Sequence, residues 1–182
     1  MRVISGKFKG RRLTGFKAPH IRPTTDRIKE SIFNRLAADL PEARVLDLFS
    51  GTGNLAIEAL SRSAAYVEAV EKHSKSIAII KNNLEQLKIT EGIKVIQKDV
   101  LSYLKRYEGS SFDVIFVDPP FTEKMADEVM DVLCQSKVGH VGTRLVIESG
   151  GHEEIKDEYG KFLLEERKMY GDKSVSYYTK EE

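Results

Sequence analysis

One segment of the sequence has the residue types needed to bind an aromatic amine. Asp118-Pro119-Pro120-Phe121 directly follows the apolar run Val114–Val117. The Asp118 carboxylate can accept a hydrogen bond from an exocyclic NH2 group, and the prolines fix φ, which holds a nearby backbone carbonyl as a second acceptor. Phe121 offers a ring on which a base can stack, a contact worth about 1–3 kcal/mol. The alternative is a simple turn, because Asp-Pro pairs commonly begin turns.

A second segment, from Asp47 to Ala56, has the glycine spacing of a nucleotide-binding loop. Gly51, Gly53 and Ala56 satisfy the dinucleotide pattern G-x-G-x-x-G/A, so an NAD-type enzyme is one interpretation. Asp47 argues against it, because a carboxylate there would repel a pyrophosphate. S-adenosylmethionine carries an ammonium and a sulfonium and no phosphate, so Asp47 would attract it. The glycines lack Cβ atoms and would let the backbone approach the amino-acid end of that ligand.

Two further acidic residues follow the next apolar runs. Glu71 ends the run Tyr66–Glu71, 18 residues after Gly53, close to the spacing of about 20 at which an acidic residue binds ribose hydroxyls. Asp99 follows the run Val95–Ile96 and could accept a bond from an adenine amino group. It could equally be the N-cap of the next helix. The acidic residues therefore predict a ligand at the ends of successive strands.

These residue types favour methyl transfer to an exocyclic amine. The amine nitrogen of guanine or adenine is a poor nucleophile, because its lone pair is delocalised into the ring. Two acceptors on its hydrogens would localise that lone pair as positive charge develops, and positioning supplies the rest. Neither a metal nor a strong base is needed, and the four histidines lack ligand spacing. Cys134 does not follow a proline at a strand end, which disfavours a cysteine nucleophile of the cytosine-C5 type.

Alternating apolar runs and helical segments must position these residues. The predicted strands are Val45–Phe49, Tyr66–Val70, Val95–Ile96, Val114–Val117 and Leu145–Ile147. The predicted helices fill 54–62, 74–87, 99–107 and 123–135. This alternation indicates βαβ units and a mainly parallel, doubly wound sheet. Near the end of the chain, Phe162–Tyr170 and Ser174–Thr179 indicate an antiparallel hairpin that closes one edge.

The segment before this α/β body is strongly basic. The 182-residue chain has a net charge of +1, but residues 1–29 contain nine cations and one anion. We expect a small basic hairpin over 1–17, then a helix that begins at Thr24–Asp26 and runs to about Ala38. Its apolar face would be Ile28, Ile32, Phe33 and Leu36. The charge points to a polyanionic partner, whereas a solvated hairpin with incidental lysines is the alternative.

Composition is typical of one soluble domain, with 41% hydrophobic and 31% charged residues. The single cysteine, Cys134, excludes an internal disulfide and suits a reducing cytoplasm. The first residues lack the apolar core of a signal peptide, and no apolar stretch approaches the roughly 18 residues of a membrane span. We therefore expect no membrane partner. We place the only candidate boundary near residue 40, between an extension at 1–40 and a body at 41–182.

Several segments together resemble a known family. They are Arg2–Gly6, Gly10–Leu13, Arg22–Arg27, Ile28–Asn34, Asp47–Gly53, Glu58–Arg62 and Asp118–Phe121. In this combination they are similar to the bacterial 16S ribosomal RNA guanine-N2 methyltransferases, which modify guanine 966 of the small subunit. Arg22-Pro-Thr-Thr-Asp-Arg27 is the most specific part, because Asp-Pro-Pro-Phe is shared with many amino-methyltransferases.

The resemblance implies a Rossmann-like class I methyltransferase fold with a seven-stranded sheet. It also implies S-adenosylmethionine as methyl donor, S-adenosylhomocysteine as product, and no metal. The cofactor-binding residues would be Thr25, Asp47, Phe49, Gly51, Gly53, Glu71 and Asp99. The residues at the target base would be Asp118, Pro119, Pro120 and Phe121. The cations available to RNA phosphates would be Arg2, Lys7, Lys9, Arg11, Arg12, Arg22 and Arg27.

From this resemblance we expect an enzyme that methylates N2 of guanine 966 in 16S ribosomal RNA within a small-subunit particle. The cysteine usage favours a cytoplasmic protein, and the compact size and the lack of a long apolar stripe favour a monomer. Two other interpretations stay open. An N6-adenine methyltransferase acting on DNA or RNA would share Asp118–Phe121, and analysis of the product nucleoside would distinguish it. A non-catalytic nucleic-acid-binding module would keep the cofactor fold but would have no methylation to lose on Asp118→Ala.

Overall fold

The computed structural model describes residues 1–16, 25–120 and 123–182. Its helices are α1 (Asp26–Arg35), α2 (Asn54–Ser61), α3 (Ser74–Gln86), α4 (Val100–Lys105) and α5 (Ala126–Gln135). Its strands are β1 (Arg44–Leu48), β2 (Tyr66–Glu71), β3 (Ile93–Gln97), β4 (Phe112–Val117), β5 (Gly139–Gly150), β6 (Glu158–Tyr159), β7 (Phe162–Tyr170) and β8 (Lys173–Lys180). Within the described ranges, every helix is too short or too polar to cross a membrane.

The strands form one sheet in the order β3-β2-β1-β4-β5-β8-β7-β6. The first five pair in parallel, and β8, β7 and β6 follow as antiparallel neighbours. The predicted doubly wound α/β sheet with a closing C-terminal hairpin is therefore confirmed. The sheet has one strand more than the seven expected, because β6 contains two residues, which is too few to give a periodic signal.

Helices cover both faces of the sheet. On one face, α1 and α2 pack against the sheet through residues such as Phe33 and Ala56, and the rings of Phe33 and Phe116 lie 5.2 Å apart. On the other face, α4 and α5 contribute Leu104 and Leu133 to a second cluster. All four residues of the predicted apolar face of α1 are buried. Helix α1 therefore shares its core with the sheet.

The predicted elements differ from the structure mainly at their ends. Helix α1 stops at Arg35, before the predicted Ala38, because the chain turns there and Asp39 N donates to Leu36 O at 2.9 Å. Strand β5 is 12 residues long, whereas only its buried centre was predicted. Its first residues are mostly exposed, so they give no apolar run.

Residues 1–16, called the arm below, fold back on themselves against α2 and α3. Within this segment the halves share a single ladder pair, Arg2 with Arg12, so the predicted hairpin has no regular strands. Lys7 N donates to Ser61 O at the end of α2 (2.8 Å). Gly6 permits this approach, because its φ is +84° and a Cβ there would lie 1.7 Å from Ser61 O. The arm is thus packed tightly on α2.

Candidate active site

The candidate site lies where three adjacent parallel strands end. The register pairs Leu48 of β1 with the last residue of β4 and the penultimate residue of β2. The residues that follow this row are Phe49, Glu71 and Asp118. Neighbouring strands are about 4.8 Å apart, so the backbones of Glu71 and Asp118 lie roughly 10 Å apart on either side of β1. The sheet order reverses at β1, and doubly wound sheets bind ligands at such a position.

Residues 49–53, called the glycine loop below, connect β1 to α2 in an unusual conformation. Phe49, Gly51 and Gly53 have positive φ values of 63°, 57° and 77°. For Phe49 this backbone costs of order 1–3 kcal/mol, which the surrounding structure must offset. Ser50 N donates to Val70 O at 3.0 Å, and Gly53 N donates to Ser50 O at 2.8 Å. The two glycines therefore stand where the turn needs left-handed backbone.

Asp47 fastens this loop to the start of α2. Its side chain is buried, and Oδ2 accepts bonds from Ser50 Oγ (2.6 Å) and from Ala56 N (3.1 Å). Burial raises the pKa of Asp47 to about 7, although these two bonds oppose the shift. The carboxyl is therefore only partly ionised near neutral pH. Its repulsion of a pyrophosphate is therefore weaker than that of a fully ionised carboxylate, and its two hydrogen bonds hold the loop itself.

Glu71 is held against the glycine loop from β2. Its Oε2 accepts a bond from Gly51 N (3.0 Å) and its Oε1 from His73 N (2.8 Å). Each carboxylate oxygen can accept a second bond, so these contacts still allow ribose hydroxyls to bind. Asp99 is the N-cap of α4, because its Oδ1 accepts a bond from Ser102 N (2.9 Å). The N-cap alternative for Asp99 is thus what the structure shows, and its contact with adenine stays a prediction.

The Asp-Pro-Pro segment lies beside the glycine loop. Asp118 is partly buried, and its N–H donates to Leu48 O across the gap between β4 and β1 (3.4 Å). Pro119 is buried and Pro120 is exposed, so the segment leads from the core to the surface. Phe121 lies outside the described residues, and its stacking role stays a prediction. The segment directly follows a buried strand, and its described residues lie at the candidate site.

The arm presents its cations to solvent. The exposed ones are Arg2 and a group that we call the basic turn, made of Lys7, Lys9, Arg11 and Arg12. Arg2 Nε pairs with Asp26 Oδ2 at 2.9 Å, and both side chains remain about half exposed. Lys29, which the charge count included, is different because its side chain is only 1% exposed and lies 3.0 Å from Glu58. Lys29 therefore adds nothing to the positive surface.

The start of α1 lies beside the β7–β8 turn. Thr25 is the N-cap, with Oγ1 accepting a bond from Ile28 N (3.3 Å), as the cap chemistry predicted. Thr25 and Arg27 line a cavity of about 340 Å³ together with Tyr170 and Lys173. Arg27 is exposed there. Arg22 lies outside the described residues, so its predicted phosphate contact stays a prediction.

A buried ion pair that was not predicted from the sequence lies next to Asp118. The register pairs Val117 with Ile147, so Glu148 is at the same level as Asp118 on the adjacent strand β5. Glu148 Oε2 lies 3.3 Å from the ammonium of Lys173 on β8, and both side chains are almost fully buried. Glu148 directly follows a predicted strand, which was the available signal. Acidic residues near the ends of the parallel strands therefore extend to β5, one strand further than expected.

The residues at this edge of the sheet fit S-adenosylmethionine. In the described part of the chain, the side chains that bond the glycine loop are acidic or neutral, which suits a cationic ligand without phosphate. A Cβ on Gly51 would have Phe49 O as its nearest neighbour at 3.8 Å, so the backbone is open at that point. Residues 49–53 and Glu71 are the groups that could hold the ligand.

Comparison with known proteins decides the family. The family described as "Conserved hypothetical protein 95" matches residues 1–179. The chain belongs to this family. A Bacillus subtilis relative named "Putative rRNA methyltransferase YlbH" is 35% identical over 99% of both chains. Ribosomal RNA small subunit methyltransferase D of Escherichia coli K12 is 37% identical, with 73% of this chain and 66% of the relative aligned.

Solved structures with the same fold are described as methyltransferases. The Escherichia coli structure described as "Putative methyltransferase yhhF" has a TM-score of 0.89 and 30% identity, and the match covers 100% of this chain and 98% of that one. A Haemophilus influenzae methylase structure, HI0767, has a TM-score of 0.85 and 30% identity over the same shares. This chain therefore has the Rossmann-like class I methyltransferase fold. Its relatives named as ribosomal RNA methyltransferases show that it is a methyltransferase enzyme.

Proposed function

We propose that this protein transfers a methyl group from S-adenosylmethionine to the exocyclic N2 of guanine 966 in 16S ribosomal RNA. The observation that carries the proposal is the position of Asp118-Pro119-Pro120, which directly follows β4 beside the glycine loop. A methyl donor in the loop and an amine at Asp118 would be neighbours. The relatives named as small-subunit ribosomal RNA methyltransferases support the RNA class of the substrate.

Each part of the edge would have a distinct task. When bound, the donor supplies an electrophilic methyl group on a sulfonium. The glycine loop would hold its amino-acid end and Glu71 its ribose. Asp118 would accept a hydrogen bond from the guanine NH2, which localises the nitrogen lone pair as positive charge develops. Pro119 restricts the backbone at this acceptor, so the geometry is set before the base arrives.

The basic extension would hold the RNA around the target. We propose that residues 1–40 form the RNA-contacting extension and 41–182 the catalytic body, although α1 packs in the common core. Cations of the basic turn would hold flanking phosphates while the guanine leaves its stack, which costs a few kcal/mol. We propose a small-subunit particle as substrate, which would place the reaction in the cytoplasm, and a monomeric enzyme.

The test is radiolabelled methyl transfer to small subunits from cells that lack this gene, compared with deproteinised 16S RNA. We expect N2-methylguanosine at one nucleotide, with stronger labelling of the particle. Asp118→Ala should abolish labelling and keep RNA binding, whereas Asp131→Ala, at a partly exposed aspartate on α5, should label normally. N6-methyladenosine in the product would support the adenine alternative instead. Absence of label from both substrates would refute the proposed function.

A further inference from the structure

Asn83 on α3 joins the arm to the glycine loop. Its side chain is fully buried. Oδ1 accepts a bond from Thr14 N (2.7 Å), and Nδ2 donates to Thr14 O (3.0 Å) and to Thr52 O (3.0 Å). Both N–H groups and the oxygen of the amide are therefore used. The Asn83 side chain thus forms two hydrogen bonds with the backbone of Thr14 in the arm. Its remaining N–H donates to Thr52, the residue between the two loop glycines.

Lys29 on α1 makes a second connection of the same kind. Its ammonium donates to Arg2 O (2.5 Å) in the arm and to Asn54 Oδ1 (2.8 Å) at the start of α2. Its ion-pair partner Glu58 accepts bonds from two more arm residues, Ile4 N (2.8 Å) and a neighbouring amide. The arm is thus fixed at two neighbouring places. Asn83 connects it to the glycine loop, and Lys29 and Glu58 connect it to the first turns of α2.

The glycine loop needs such external support. Three of its five residues have positive φ, and one of them, Phe49, is not glycine. A strained backbone persists only where its surroundings over-determine it. Thr52 lies between Gly51 and Gly53, and Asn83 bonds its carbonyl directly. If this bond were lost, the carbonyl of Thr52 would lose a buried donor and the loop would gain other accessible conformations.

We propose that Asn83 is a positioning residue for cofactor binding, which holds the glycine loop through Thr52 while its other polar atoms hold the arm. This inference rests on the proposed function only in assigning the cofactor to the loop and RNA to the arm. Because the same amide binds both segments, RNA on the arm stabilises the binding conformation of the loop. Linkage makes the effect reciprocal, so cofactor also strengthens RNA binding.

Titration calorimetry with S-adenosylhomocysteine tests the role of Asn83 without catalysis. Asn83→Ala should weaken binding about tenfold, as expected for loss of one buried hydrogen bond. Asn83→Asp keeps the size and the acceptor for Thr14 N but loses both donors, and it should weaken binding similarly. Asn82→Ala is the matched control, because exposed Asn82 donates to Thr14 Oγ1 (3.2 Å) and so contacts only the arm. It should bind as the wild type does.

A purely structural role for Asn83 would give a different result. The variants would then melt at lower temperature but, while folded, would bind S-adenosylhomocysteine with unchanged affinity, which overturns the proposal. If the variants do not fold, amide hydrogen exchange of the wild-type protein provides the test of the proposal. Added 16S RNA should slow exchange of the amides at 50–56, and unchanged exchange with RNA bound overturns the proposal. A protein that binds S-adenosylhomocysteine in the predicted order of variants but never binds RNA would contradict the proposed function and the coupling to RNA, and it would leave the positioning role of Asn83 for the cofactor in place.

Discussion

Asp47→Asn should change how the stability of this protein depends on pH. In the folded protein, burial raises the pKa of Asp47 to about 7, from an ordinary value of 3.8. Asparagine has nearly the same shape, and its amide oxygen can accept the bonds from Ser50 Oγ and Ala56 N. It does not ionise. The variant therefore removes one titration and leaves the loop contacts largely in place.

The sign and size of this effect follow from proton linkage. Between pH 3.8 and about 7, the folded state keeps the Asp47 proton that the unfolded state has already lost. The wild type therefore loses stability as pH rises through this window, and the contribution is complete below it. One pH unit corresponds to about 1.36 kcal/mol, so a difference of about three units gives about 4 kcal/mol. The difference in unfolding free energy, variant minus wild type, should rise by that amount.

Urea unfolding of both proteins at pH 4, 5, 6, 7 and 8 measures this difference directly. Titrating groups that do not interact with Asp47 cancel in the comparison, because the two chains differ at one residue. The curve should climb by at most about 1.36 kcal/mol per pH unit and flatten above about pH 7. A constant difference across this range would show that Asp47 is already ionised in the folded protein, and would refute the burial argument.

Three further perturbations follow from the same geometry. Gly53→Ala should cost about 1–3 kcal/mol in urea unfolding, because φ is +77° and the new Cβ would lie 3.3 Å from Ile80. Gly142→Ala, with φ +89° and open space around it, measures the cost of the left-handed backbone alone. An equal loss of stability there would show that the contact between the new Cβ at position 53 and Ile80 contributes nothing. Alanine at all four positions of the basic turn should lower the salt slope of single-stranded RNA binding by about 3 and leave S-adenosylhomocysteine affinity unchanged; an unchanged slope would place the RNA elsewhere. Lys173→Met should cost about 3–5 kcal/mol, because it removes the ammonium that lies 3.3 Å from the buried Glu148 carboxylate, and adding Glu148→Gln should recover part of the loss in the same assay.

The sequence predicted best what depends on local spacing. The N-cap at Thr25 and the apolar face of α1 each follow from residues within one or two turns of chain. Asp118 and Glu71 could be placed at one edge, because parallel strands end together. The short strand β6 and the exposed beginning of β5 gave no such local signal, and they were missed for that reason.

Buried polar side chains were harder to predict, because their partners are distant in sequence. Lys29 and Glu58 are 29 residues apart, and Asn83 bonds residues 69 and 31 positions away. Lysine, glutamate and asparagine are usually exposed, so their types alone suggest surface positions. Only the packing of the arm on α2 and α3 shows that these three residues hold segments together.

The attachment of the arm changes how the charge asymmetry should be interpreted. A basic tail on a flexible linker would raise the local concentration of RNA without fixing its orientation. Here the arm is bonded to α1, α2 and α3 through buried Lys29, Glu58 and Asn83. The basic turn is therefore carried on the same rigid unit as the glycine loop. Phosphates bound by that turn would be fixed relative to Asp118, so the choice of nucleotide would follow from geometry as well as from charge.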